Sequence, residues 1–256
     1  MEFVKIVPKK INNFHYNLKK GDNNMVEPQQ KQCLKDMSVF SKLNGEELEL
    51  ICRGSYDKTY QKGEVIFFEN DSFKKLYLLV SGRVKLSMLS PDGKEKVITI
   101  LQSGDILGEI SLFDEDPHPL TAEVMEDAKL MILPWNDLEK IIIERPRLAL
   151  KIIEAMSKKT RLLTSQIRDL VFQDAAGRLA SLLVRFGEDF GIDVNDGRKI
   201  DIVLTHQEIA NLLGTSRVTV TKMINKFIDE GLLKIENRKM IILDEERLGE
   251  RLHTII

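Results

Sequence analysis

The stretch Thr205-His-Gln-Glu-Ile-Ala-Asn-Leu-Leu-Gly-Thr-Ser-Arg-Val-Thr-Val-Thr-Lys-Met-Ile-Asn-Lys226 decides the fold of this chain. Thr205 can cap a helix with its hydroxyl, and Glu208 three residues on closes a capping box. Ile209, Leu212 and Leu213 give that helix a core face. Gly214 stands where the chain must turn through a left-handed residue, and Ser216 can cap a second helix beginning at Arg217. Val220, Ile224 and Phe227 recur at helical spacing, which leaves Arg217, Val218, Thr221 and Lys222 on the opposite face near the helix N-terminus. Two short helices hinged at a glycine read as a helix-turn-helix, whose second helix enters the DNA major groove by that end. From Asn211 to Ile228 there is no Asp or Glu, while Arg217, Lys222 and Lys226 are present. The competing reading is an ordinary helical hairpin with a solvated basic face. Beyond Gly231, Leu-Leu-Lys-Ile235 and Met-Ile-Ile-Leu243 flank Glu236-Asn-Arg-Lys239 like a small hairpin, the place of a wing. Thr205, Gln207, Ser216 and Thr219, with Arg238 on the wing, are expected to anchor phosphates.

The 256 residues suffice for two compact domains, and 43% hydrophobic with 30% charged residues is the composition of a soluble globular protein. A net charge of −2 argues against non-specific coating of polyanions, so DNA affinity must come from a locally basic surface. No apolar run approaches membrane-spanning length, and the first thirty residues lack the apolar core of a signal peptide, which places the protein in the cytoplasm. Two cysteines, Cys33 and Cys52, are too few for a tetrahedral metal site or an iron–sulfur cluster, though they could form one redox switch. His15, His118, His206 and His253 show no ligand spacing. No nucleophile–base pair and no phosphate-binding loop of the P-loop kind points to an enzyme.

Residues 1–30 read as a polar extension, with Met25 an alternative start. Residues 31–145 form the next unit. A helical pattern from Cys33 to Ile51 leads into short β-type runs at Val65–Phe68, Leu76–Val80, Val84–Leu89, Val97–Leu101 and Leu130–Leu133. Such even spacing fits an antiparallel barrel or jelly roll, with Ser81-Gly82 and Pro91-Asp-Gly93 as hairpin turns. After Pro146 the chain runs without Gly or Pro to Gly177. Ala149, Ile153, Met156, Thr160, Leu163, Ile167 and Leu170 alternate by four and three, the seam of a coiled coil over residues 146–172. A helix buried within one chain could show the same pattern. Beside a helix-turn-helix the seam favours a homodimer whose two recognition helices read a palindromic double-stranded site. Residues 173–256 complete the chain as the DNA-binding domain, making an α+β protein.

A glycine-punctuated barrel, a seam helix and a C-terminal winged helix-turn-helix, in that order, resemble the family of the cyclic-AMP receptor protein and FNR. The resemblance spans about residues 33–250. It rests on Lys62-Gly-Glu-Val-Ile-Phe67 with Val80-Ser-Gly-Arg-Val84, on Gly104-Asp-Ile-Leu-Gly-Glu-Ile-Ser-Leu-Phe113, on Asp174-Ala-Ala-Gly-Arg-Leu-Ala180 and on the stretch above. In cyclic-nucleotide-binding relatives, the amides of a short helix hold the nucleotide phosphate and its Glu meets the ribose, an anion at a helix N-terminus. Gly108, Glu109, Ile110 and Ser111 occupy those places here. An Arg that clamps the phosphate beside Ser or Thr is replaced, in this chain, by Leu120 before Thr121. The two hydroxyl residues that face the adenine in the cyclic-AMP receptor correspond to Leu163 and Thr164. Both ends of the site are altered, which argues against cyclic AMP and leaves a different small-molecule effector or none. Glu109 is either a ligand contact or a structural remnant. No cofactor is favoured, because oxygen-sensing relatives hold their cluster through four cysteines and no His lies between Tyr16 and Asp116 to serve a haem.

The resemblance also implies that Arg217, Val218 and Lys222 face bases. Arg can grip guanine, and Val218 stands where the cyclic-AMP receptor and FNR carry a Glu that accepts from cytosine. The expected palindrome therefore keeps a guanine at Arg217 and loses the neighbouring cytosine demand, unless Val218 is silent. Activation through contacts with RNA polymerase is what family precedent implies. Two other modes stay open: a thiol redox response through Cys33 and Cys52, and constitutive regulation without an effector.

Overall fold

The computed structural model describes residue 35 and residues 44–251. Cys33, the extension 1–30 and Met25 lie outside them. Asn44 opens helix α1 (Gly45–Gly54): its side chain accepts from the Glu47 N–H at 2.9 Å while the Glu47 carboxylate accepts from the Asn44 N–H at 2.8 Å. That capped start at Asn44 opens α1 inside the expected Cys33–Ile51 pattern, whose earlier residues, Lys35 apart, lie outside the described ones.

Six antiparallel strands follow, β1 (Tyr56–Tyr60), β2 (Val65–Phe67), β3 (Lys75–Leu89), β4 (Glu95–Leu101), β5 (Ile106–Leu107) and β6 (Thr121–Pro134). Their order is β1-β6-β3-β4, with β2 also on β6 and β5 on β3. The spine is β3 against β6, from Leu76 opposite Leu133 to Ser87 opposite Thr121. Ser81-Gly82 is not the expected hairpin turn. The strand runs through it with register shifts between Leu79 and Val84, a bulge that bends the ribbon. Gly82 sits at φ +88, where a Cβ would collide with the Asp127 carbonyl oxygen; close approach, not reversal, requires this glycine. Pro91-Asp92-Gly93 does reverse the chain between β3 and β4, with the Ser90 N–H donating to the Lys94 carbonyl at 2.9 Å.

Alternation along β3 divides two cores. Tyr77, Leu79, Val84 and Leu86 point into the sheet's interior with Leu107, Val124 and Leu130. Leu76 and Leu78 face the helices, meeting Ile51 of α1, Leu138 and Ile141 of α2 (Trp135–Glu144), and Leu148 and Ile152 of α3 (Arg147–Phe172). Helix α3 is continuous for 26 residues after Pro146. Its Ile153, Thr160, Leu163, Ile167 and Leu170 are exposed, with Ala149 and Met156 half-buried. Thr160 donates its hydroxyl to the Met156 carbonyl at 3.0 Å, so this polar break in the seam is satisfied within the helix.

Gln173 ends α3 and Asp174 caps α4 (Ala175–Phe190), accepting from the Gly177 N–H at 2.7 Å. The remaining elements are β7 (Gly191–Val194), β8 (Gly197–Ile200), α5 (His206–Leu213), α6 (Arg217–Asp229), β9 (Leu233–Glu236), β10 (Lys239–Ile242) and α7 (Glu245–Glu250). The four strands order β7-β8-β10-β9. The sheet meets this half along β4: Val97 and Ile100 are buried in one core with Leu179, Leu183 and Leu212. Asn211 donates to Glu95 at 2.7 Å, Lys96 donates to the Leu212 carbonyl, and Arg83 donates to the Asp201 carbonyl at 2.7 Å. The α+β class and the order of sensor sheet, long helix and winged helix-turn-helix agree with the reading of the sequence.

Candidate nucleic-acid interface and effector pocket

Thr205 caps α5 as its sequence requires, accepting from the Glu208 N–H at 3.2 Å while Glu208 accepts from the Thr205 N–H at 2.6 Å. Gly214 takes φ +67, ψ +44, the left-handed geometry of a helix end. Ser216 then caps α6 through the Thr219 N–H at 3.1 Å. Val220, Met223, Ile224 and Phe227 bind α6 to the core, and Arg217, Val218 and Lys222 are exposed on its other side, Val218 by 64%. Thr205, Gln207 and Ser216 share that exposed rim, with Thr219 half-buried behind them. Asn237 (φ +50) and Arg238 (φ +64) form the two-residue turn between β9 and β10, which holds Arg238 at the tip of the wing.

Thr221 departs from expectation. It is half-buried, donating to the Arg217 carbonyl at 3.0 Å and meeting His206 Nδ1 at 2.8 Å. Its hydroxyl ties α6 to α5, and His206, which showed no ligand spacing, is the other half of that tie.

The residues assigned to the effector divide. Gly108, Glu109, Ile110 and Leu120 line one small cavity with Phe67, Leu86, His118 and Pro119. Its volume is about 20 Å³, space for roughly one water. Glu109 is 1% exposed, and Lys159 of α3 reaches it at 2.7 Å while also donating to the Ile106 carbonyl at 2.7 Å. Lys159 therefore already holds one oxygen, Oε1, of the carboxylate that would meet a ribose, while Oε2 is buried without a hydrogen bond. Ser111, in the 3-10 turn Ile110–Leu112, is buried and contacts His118 Nδ1 at 3.2 Å; His118 Nε2 donates to the Phe73 carbonyl at 3.1 Å. His118 stacks on Phe67 at 4.3 Å, and burial lowers the pKa of its ring. Thr121 accepts from the Glu69 N–H at 3.0 Å and does not line the cavity; Leu163 and Thr164 lie on the exposed face of α3, Thr164 donating to the Thr160 carbonyl at 2.9 Å. Phe113, just beyond the 3-10 turn, meets Trp135 edge-on at 5.4 Å.

Neither Lys159 nor His118 was legible as a pocket residue, since each reaches Glu109 or Ser111 from outside the motif that carries them. Cys52 is buried. Among the described residues no group of three His, Cys, Asp or Glu could hold a metal ion, and no helix is long and apolar enough to cross a membrane.

Residues 57–145 match the family model of the cyclic nucleotide-binding domain, and residues 177–251 that of the Crp-like helix-turn-helix domain. A CRP-like cAMP-activated global transcriptional regulator of Mycobacterium tuberculosis is 31% identical over 75% of this chain and 86% of its own length. An anaerobic regulatory protein of Bacillus subtilis is 34% identical over 76% of this chain and 82% of its own. The structure of a CooA mutant from Carboxydothermus hydrogenoformans superposes with a TM-score of 0.73 at 30% identity, covering 86% of this chain and 98% of that one.

Proposed function

Because the chain belongs to the CRP/FNR family of DNA-binding transcriptional regulators, we propose that it works as a homodimer joined along α3, reads a palindromic site, and activates transcription in the cytoplasm through RNA polymerase. The observation that carries this reading is the exposed Arg217-Val218-Lys222 face at the N-terminal end of a helix whose other side is locked in the core. The seam supports the dimer: Ile153, Leu163, Ile167 and Leu170 form an apolar row in water on a single chain. Arg217 grips guanine, Val218 packs on thymine methyl or leaves its base pair unread, and Arg238 with the rim hydroxyls sets register on phosphates.

The cyclic AMP in the M. tuberculosis relative's name is not carried over to this chain. Leu120 stands where a phosphate clamp is needed, and the cavity beside Glu109 holds about 20 Å³, far below the ~300 Å³ of a small-molecule site. A regulator indifferent to nucleotide is favoured by the Glu109–Lys159 pair. The thiol alternative draws no support from Cys52, which is buried.

Selection of sites from random double-stranded oligonucleotides tests the reading. Expected are two-fold sites with half-site centres about one helical turn apart and a guanine at each Arg217. Val218→Glu should add a cytosine preference worth roughly 1–3 kcal/mol. Asymmetric sites would overturn the dimeric reading.

A further inference from the structure

A cleft of about 300 Å³ opens where the three parts of the chain meet, between residues 99–106 of the sheet, α3 from Lys151 to Leu162, and α4 from Arg185 to Phe190. Lys151, Glu154, Lys158 and Leu162 recur on one face of α3, and the seam residues Ile153, Thr160 and Ile167 recur on the other. Pairing along the seam therefore leaves the cleft open. Ile100, Ala155, Leu162 and Phe190 supply an apolar wall.

The cations of the cleft differ in how far they are committed. Lys151 meets Glu154 at 2.7 Å, and Lys159 is held by Glu109. Lys158 approaches Glu154 only at 3.7 Å, with 65% of its side chain exposed. Arg185 makes no hydrogen bond and no close ion pair among the described residues; Asp169, Asp189 and Glu188 act on it from a distance. A half-buried guanidinium with five donors and no acceptor is a costly arrangement that an incoming anion would relieve. The carboxyls of Asp105 and Asp189 lie in the same wall, and burial pushes both up.

We propose that this cleft is a binding site, separate from the pocket at Glu109, for a small organic anion. Its acid group sits on Arg185 and Lys158, and its apolar body lies against Ile100, Leu162 and Phe190. Such a ligand touches sheet, long helix and DNA-binding half at once, so it binds the docked arrangement of the two halves and no other.

The test titrates the isotope-labelled full-length protein with phenyl phosphate and, separately, with phenylacetate. Affinity is read by calorimetry and position by amide shifts. Expected is saturable binding of at least one probe with a Kd of about 1–10 mM, as suits a fragment. Shifts should centre on Ile100, Arg185 and Phe190. Affinity should fall on the order of tenfold in Arg185→Met and by less in Lys158→Gln. The tighter probe identifies the acid group as phosphate or carboxylate. If Arg185→Met fails to fold, the surface variant Lys158→Glu carries the comparison. The site is refuted by absence of saturable binding, by affinity unchanged in the folded variants, or by shifts confined to Glu109 and His118. The readout involves no DNA, so it stands or falls independently of the DNA-reading function.

Discussion

Glu109 and Lys159 form the costliest pair in the sensor, because the carboxylate side chain is 2% exposed and the ammonium side chain 22%. Lys159→Met strands a buried charge and should cost about 3 kcal/mol in urea unfolding, whereas the double variant with Glu109→Gln should recover most of it. Glu109 Oε2 is buried without a partner even in the wild type, so a neutral glutamine removes a charge that only Lys159 balances. A second titratable residue sits at the joint between the halves. Burial, with repulsion from Arg185 and Arg178, brings Lys96 down to about 8. Above that pH the folded protein has released a proton that the unfolded chain keeps until near 10.5. The unfolded state then binds more protons, so stability contributed by this group rises with pH between about 8 and 10. Urea midpoints of wild type minus Lys96→Met should show that rise; a flat difference would remove Lys96 from the account.

At the scale of elements, what was legible was local. The helix-turn-helix could be read because Thr205, Glu208, Gly214 and Ser216 each satisfy backbone groups within four residues of themselves. Ser81-Gly82 misled because a turn and a bulge both call for a residue at positive φ, and the choice between them is made by Asp127, some 45 residues along the chain. Gly82→Ala should therefore cost about 3 kcal/mol, more than an alanine at Gly93, which at φ +80 bears backbone strain alone because its Cβ would meet open space. Strands β5, β7 and β8 passed unseen because they are two to four residues long, too short to show an alternating pattern. The Lys159–Glu109 and Asn211–Glu95 contacts cross 50 and 116 residues, and nothing at either end announces the other.

For the whole molecule, the proposed dimer ties the seam to the reading head: on that reading two heads grip one site only while two long helices stay paired. Ile167→Asp places a charge in the middle of that row. It should convert a dimer to a monomer in sedimentation equilibrium and weaken binding to a two-fold site by on the order of a hundredfold. Retention of the dimer would mean that the chains meet elsewhere. The halves of each chain are joined by β4 lying on α5 and by a two-residue break at Gln173-Asp174, so relative movement has to slide one core over the other. Such movement is also observable without any label. Trp135 is the single tryptophan of the chain, and its indole is touched by the Phe113 ring just after the segment that carries Glu109. Displacement of that segment changes the surroundings of one chromophore alone, so intrinsic emission at long-wavelength excitation becomes a site-specific optical gauge of the sensor, readable in stopped flow during DNA binding.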